Sequence, residues 1–212
     1  MLNYLIAKNS LFFFLFLYIM KIVQVLFLCF VFSTVFGQTK TTQYINKVSQ
    51  STVYFTTGDS MQLSKTKDTA QYFFFIFEAE EDTIGLDPGL STNGRWRAIQ
   101  LAKIFKNYSF KSIFSTPFRK GILTLQPLTD QTKQKVIYYD QADIKSFHKK
   151  LENAWPEPCL IIVHKETFPL ILKKYLKEPF KEDISKEPSE NMYILKYTKK
   201  QSQLFSYRYK IR

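Results

Sequence analysis

Cysteine is scarce in this chain. There are two among 212 residues, Cys29 and Cys159, too few for a disulfide framework or a four-thiolate zinc site. With only 6 Gly and 8 Pro, collagen-like and Gly-rich low-complexity chains are excluded. No internal repeat is visible, which argues against a solenoid. Arginine is also rare: the 30 cationic residues include five, Arg95, Arg97, Arg119, Arg208 and Arg212. That matters because the planar guanidinium is the better fork for clamping phosphate or carboxylate. What is present is a 45% hydrophobic, 23% charged composition, which folds rather than stays disordered. The length suits one medium domain with small appendages.

The first stretch reads as an address. Residues 1–36 are nearly all apolar, interrupted usefully at Met20-Lys21. From Met20 the pattern is a short positive start at Lys21, an apolar core over Ile22 to Phe36, and Val35 and Gly37 before a cut at Gln38. This is the layout of a secretory signal peptide with Met20 as the true start. The expectation is therefore an exported protein, periplasmic or extracellular, with no stable membrane span after cleavage. The alternative is a membrane anchor, since Leu11 to Phe36 is long enough to span; Lys21 within it opposes that reading. Cleavage removes Cys29 and leaves Cys159 alone.

The rest divides in two. Residues 38–71 form a polar arm in which Ser51 to Thr57 reads as a strand, followed by a turn at Gly58-Asp59-Ser60; it is either an extra edge strand or a loosely held arm. From residue 72 to 212 the pattern is that of an α/β domain. Tyr72 to Phe77 is a continuous apolar run, as expected of a strand covered on both faces. Ser91 or Thr92 caps a helix to about Lys106, with Ala98, Leu101, Ala102 and Phe105 on one stripe. Strands follow at Ser112 to Ser115, Val136 to Tyr139 and Cys159 to Val163, alternating with helices after Pro117, over Ala142 to Trp155 and over Phe168 to Leu176. Met192 to Tyr197 and Leu204 to Tyr209 close as a hairpin. This alternation implies a three-layer α/β/α sandwich around a mostly parallel sheet, with its site beyond the carboxyl ends of the strands. The loops after Phe77, Ser115 and Val163 are the ones to inspect.

Those loops read Phe77-Glu78-Ala79-Glu80-Glu81, then Leu90-Ser91-Thr92-Asn93-Gly94 opening a helix, then Thr116-Pro117-Phe118-Arg119-Lys120, and finally Val163-His164. In this order and spacing the chain resembles the histidine phosphatase superfamily, with its phosphoglycerate-mutase-like fold, over roughly Tyr72 to Tyr209. The family pattern is a strand ending in Arg-His-Gly/Ala-Glu, a Leu-Thr/Ser-x-x-Gly helix start, Ser-x-x-x-Arg, and a strand ending in a second His. The resemblance implies a phosphate site in which the first His attacks phosphorus, while two Arg and the second His hold the oxygens.

Carried over residue by residue, the resemblance places Phe77 at the first Arg, Glu78 at the nucleophilic His and Lys120 at the second Arg, with Arg119 one place before it. His164 alone is kept, and Val163 replaces the Gly that usually precedes it. Phe77 offers neither charge nor donor. An ionised Glu78 only accepts and would face a phosphate dianion. Two like unit charges about 4 Å apart repel by ~4 kcal/mol at an effective dielectric of ~20. The leading expectation is thus a pseudoenzyme, with Glu78 paired to Lys120 or His164 in the old pocket.

Two alternatives stand beside it. One is an active phosphomonoester hydrolase of altered mechanism, using His164 and Lys120, with Arg119 as a further ligand-binding candidate and a phosphorylated or other small anionic ligand. The other is a divalent-cation or small-ligand module built on Glu78, Glu80 and His164. No cofactor and no dedicated metal site is expected. The formal charge of +12 is scattered over lysines without nucleic-acid-reader spacing, so no nucleic-acid partner is expected. His148 reads as a solvated helix residue, Cys159 as a small core hydrophobe, and Asn107-Tyr108-Ser109 as a sequon that matters only in a glycosylating pathway.

Overall fold

The computed structural model describes residues 20–21, 43–49, 51–63, 70–184 and 188–211. The chain divides into two compact units, Met1–Thr41 and Thr42–Arg212. Of the first, only Met20 and Lys21 are described, both helical and exposed. The expected signal segment and its cleavage point otherwise lie outside the described residues. Among the described residues no helix is long and apolar enough to cross a membrane.

The second unit is built on a six-stranded sheet. Its strands are β4 (Gln71–Phe77), β5 (Ser112–Ser115), β6 (Val136–Tyr138), β7 (Cys159–Val163), β8 (Asn191–Tyr197) and β9 (Ser202–Arg208), in the order β6-β5-β7-β4-β8-β9. The first four are mutually parallel; β8 and β9 add as an antiparallel hairpin. The predicted mixed, mostly parallel sheet is thus present.

The central strands are apolar on both faces because both faces are covered. All seven residues of β4 are buried. Side chains alternate along a strand, so Phe73, Phe75 and Phe77 enter one core while Phe74 and Ile76 enter the other. In β7, Cys159, Ile161 and Val163 join the first set, Leu160 and Ile162 the second. Helices α3 (Ile144–Asn153) and α4 (Phe168–Leu172) cover the first face through Phe147, Leu151, Phe168 and Ile171. Helices α1 (Thr92–Ile104) and α2 (Arg119–Thr132) cover the second through Leu101, Ile104, Leu125 and Leu128. Helix α4 is shorter than its apolar pattern suggests; after Leu172 the chain continues as turns closed by Tyr175 and Leu176 N–H bonds to the Leu172 carbonyl.

The arm departs from expectation. Among the described residues of the arm there are three strands, β1 (Ile45–Ser49), β2 (Thr52–Phe55, within the expected edge strand) and β3 (Ser60–Gln62), forming a separate antiparallel sheet. Ile45, Val48, Val53, Phe55 and Leu63 are buried in the same core as α1 and α2. The polar composition hid these few apolar positions, which suffice to hold the small sheet to the domain. His148 also departs from the solvated reading. It is half-buried, its ring lies 5.5 Å from that of Tyr175, and burial followed by the Lys174 charge holds its pKa below the usual value.

Candidate functional site

Three chain segments meet beyond the carboxyl ends of β4, β5 and β7. Together they line an open cleft of about 650 Å³ whose walls include Phe77, Glu78, Lys120, Val163 and His164. Two glycines permit this convergence. A Cβ on Gly94 would stand 2.1 Å from the Glu80 carbonyl oxygen, so only glycine lets the first turn of α1 pack on the end of β4. Ser91 caps that turn, its hydroxyl accepting from the Gly94 N–H at 3.1 Å. A Cβ on Gly121 would stand 2.6 Å from Ser115 Oγ and 3.3 Å from Glu78 Oε1. The start of α2 therefore lies directly against Glu78. Thr124, fully buried, ties these parts together: its hydroxyl donates to the Lys120 carbonyl and accepts from the Ala79 N–H.

Glu78 is the centre of the site. Its side chain is 7% exposed, and Oε2 lies 3.1 Å from Lys120 Nζ and 3.0 Å from His164 Nδ1. A carboxylate only accepts, so His164 donates from Nδ1. The other ring nitrogen, Nε2, lies 3.0 Å from the Thr116 hydroxyl. Phe118 stands edge-on to the ring at 5.6 Å. Lys120 reaches a second carboxylate, Glu81, also at 3.1 Å. Burial alone would lower its pKa, but Glu78 and Glu81 overcome this and hold the ammonium above its ordinary value. Helix α2 begins at Phe118 without a side-chain cap. Its positive end thus adds to the field that favours an anion beside Gly121.

The remaining sequence candidates lie differently. Phe77 turns away from the polar groups into the aromatic core, 5.3 Å from Phe168 and 6.1 Å from Tyr193 in edge-on contacts. Strand alternation dictates this, since Phe73 and Phe75 share its face. Arg119, expected as a further ligand-binding residue, is not among the residues that line the cleft. Its side chain is exposed beside Gly89, and its backbone N–H donates to Asp87 Oδ1 at 3.1 Å. Glu80 is bound to Arg97 rather than to Glu78 and His164, so the three do not converge on a point. Among the described residues, no group of three His, Cys, Asp or Glu side chains is placed to hold a metal ion.

Arg97 is the residue the sequence reading missed. It is 4% exposed, and its Nε contacts both Glu80 oxygens at 2.8 Å while Nη2 bonds Oε1. Nη1 reaches the Tyr209 carbonyl at 3.4 Å, and Glu190 lies 3.8 Å away. Burial by itself would raise the Glu80 carboxyl, but the guanidinium overcomes it and holds the group below its ordinary value. The signal was present in the helical period: Arg97 is four residues before Leu101, on the buried stripe of α1.

Among the described residues that line the cleft, carboxylates outnumber cations: Glu78, Glu80, Glu81, Glu166 and Glu190 stand against Arg97, Lys120 and Lys165. No protein-family model and no curated protein matches the sequence. Solved structures do match the fold. An alpha-ribazole phosphatase from Shigella flexneri superposes with a TM-score of 0.54 at 11% identity, over 65% of this chain and 96% of that one. The protein histidine phosphatase SixA, complexed with tungstate, gives 0.52 at 12% identity, over 65% and 97%. A structure described as mycobacterial hydrolase 1 gives 0.52 at 14%, over 66% and 98%. The domain therefore has the phosphoglycerate-mutase-like fold of the histidine phosphatases.

Proposed function

We propose that the chain is an exported histidine-phosphatase-like domain that does not carry out phosphohistidine chemistry. The observation that carries this reading is the Glu78 carboxylate bonded to both Lys120 and His164. At the end of β4 there is no imidazole to attack phosphorus, and the ammonium and imidazole that could hold a phosphoryl oxygen already hold an internal anion. A phosphorylated or other small anionic ligand would have to displace Glu78 or meet it as a like charge. Of the five glutamates in the cleft, Glu81 and Glu166 stand exposed around its mouth.

A hydrolase of altered mechanism finds one supporting feature, the Thr116–His164–Glu78 series of hydroxyl, imidazole and carboxylate. The same series orders a nucleophile in other enzymes. Thr116, however, is completely buried, so its hydroxyl has no access to substrate in this conformation. The series instead fixes the His164 ring.

The test is an assay of purified protein against p-nitrophenyl phosphate. The expected result is no turnover above a His164→Ala control. Turnover that disappears in that variant overturns the reading. The converse triple variant, Phe77→Arg, Glu78→His and Lys120→Arg together, is expected to create detectable hydrolysis. Export is tested separately: the amino-terminal residue of the protein recovered from the periplasm or medium is expected to be Gln38, and retention in the membrane fraction supports the anchored alternative.

A further inference from the structure

A second pocket lies at the other end of the sheet. It has a volume of about 270 Å³, and Trp155, Tyr175, Tyr197, Glu152, Lys174 and Lys199 line it. Gln71 and Tyr197, which pair where β4 begins and β8 ends, place it opposite the cleft that follows Phe77. Tyr197 meets Trp155 at 5.6 Å and 84° and Tyr175 at 5.0 Å and 76°. The three rings make an apolar wall that continues into the core through Phe73, 5.2 Å from Tyr175.

The polar groups here are few and of one bias. Lys174 is ion-paired to Glu152. Lys199, exposed in the β8–β9 turn, makes no ion pair among the described residues. Two ammonium groups against one carboxylate leave the rim positive. The Tyr175 hydroxyl is buried without a hydrogen-bond partner among the described residues.

These features select among ligand classes. One carboxylate, already paired, does not hold a divalent cation. A quaternary ammonium would gain from the rings but would meet the two lysines. A flat apolar body carrying one negative charge satisfies both the rings and the rim. At about 30 Å³ per liquid water molecule, the pocket has the space of roughly nine waters, room enough for a single aromatic ring with a carboxylate. We propose that this pocket binds a small aromatic carboxylate, with its ring on Trp155 and Tyr197 and its charge towards Lys199.

The chain has two tryptophans, Trp96 and Trp155, so in the full-length Trp96→Phe protein Trp155 reports alone. Benzoate is expected to change its fluorescence saturably. Lys199→Ala, a substitution at an exposed turn that leaves the core intact, is expected to weaken that binding about fivefold or more, in line with loss of a charge-assisted contact. Glu78→Gln, in the distant cleft, is expected to leave it within about twofold, as separated sites behave independently. Benzyl alcohol is expected to bind more weakly than benzoate. The proposal is overturned if benzoate produces no saturable change, if Lys199→Ala leaves its affinity unaltered, or if benzyltrimethylammonium binds more tightly.

Discussion

His164 Nδ1 lies 3.0 Å from Glu78 Oε2, and this contact sets the character of the whole cleft. The imidazole that follows β7 is tied by one nitrogen to the carboxylate that follows β4. Lys120 completes the arrangement from α2 at 3.1 Å. The result is a site occupied from within by its own carboxylate.

Removing the carboxylate should therefore reopen the site to oxyanions. Glu78→Ala frees Lys120 and His164 and abolishes a like-charge repulsion of ~4 kcal/mol at about 4 Å. Tungstate affinity, measured by isothermal titration calorimetry, is expected to rise by two to three orders of magnitude over the unmodified protein. Equal affinities in the two proteins would show that Glu78 is not the obstacle.

The Glu80–Arg97 pair makes a prediction about acid. Burial raises the Glu80 carboxyl, Arg97 lowers it by more, and the net value in the fold is below the ordinary 4.5. The unfolded chain then binds the extra proton first. The pair's contribution is complete above about pH 4.5 and fades as the pH falls through the folded value. Urea midpoints followed from pH 7 to 3 are expected to hold down to about pH 4.5 as far as this pair contributes, and to decline below it. Glu80→Gln is expected to flatten the decline and to cost about 2–3 kcal/mol at neutral pH, because it leaves Arg97 buried with an uncharged partner.

The two glycines of the site should respond unequally to alanine. At Gly94 the added Cβ meets the Glu80 backbone carbonyl at 2.1 Å, which is itself held by the Ser91 N–H at 2.9 Å. At Gly121 the closest atom is a serine hydroxyl at 2.6 Å, which can rotate. Alanine also favours a helix interior by about 1 kcal/mol. Gly94→Ala is expected to destabilise by about 3 kcal/mol or more, and Gly121→Ala by no more than about 1 kcal/mol. Thermal denaturation of the pair of variants checks the order; a reversal would mean that the α1–β4 contact is looser than the geometry indicates.

Cys159 is expected to be inert in the native state. It is fully buried on β7, and burial pushes its thiol up to about 12, only partly offset by the Gln71 amide. The thiolate is the reactive form. Labelling of Cys159 by iodoacetamide at pH 8, read on its own peptide, should proceed only on unfolding, with a rate in denaturant at least about a hundredfold above that in buffer. Rapid labelling of folded protein would contradict the burial.

Much of the architecture was legible because its signals are local. The unbroken apolar runs Tyr72 to Phe77 and Cys159 to Val163 can only be strands covered twice, and Ser91 announces α1 by its capping chemistry. The resemblance implies that Glu78 pairs with Lys120 or His164, and Glu78 lies against both. What the sequence withheld depends on contacts between distant positions. Arg97 is an ordinary helix arginine until Glu80 is folded onto it, 17 residues earlier in the chain. Thr116 becomes the partner of His164 only across 48 residues. The arm disguised its small sheet because five buried apolar residues are diluted among Thr, Ser and Gln. Arg119 was ambiguous by a single step of helical rotation, which sends it outside while Lys120 points in.

A carboxylate fixed to the end of β4 differs from a dissolved inhibitor in one respect. Its concentration at Lys120 and His164 is set by tethering and does not fall when the protein is diluted or dialysed. Dilution therefore leaves the site as full as before. Any molecule that gains from the cleft must either outcompete a permanent resident or use only the surface this resident leaves uncovered.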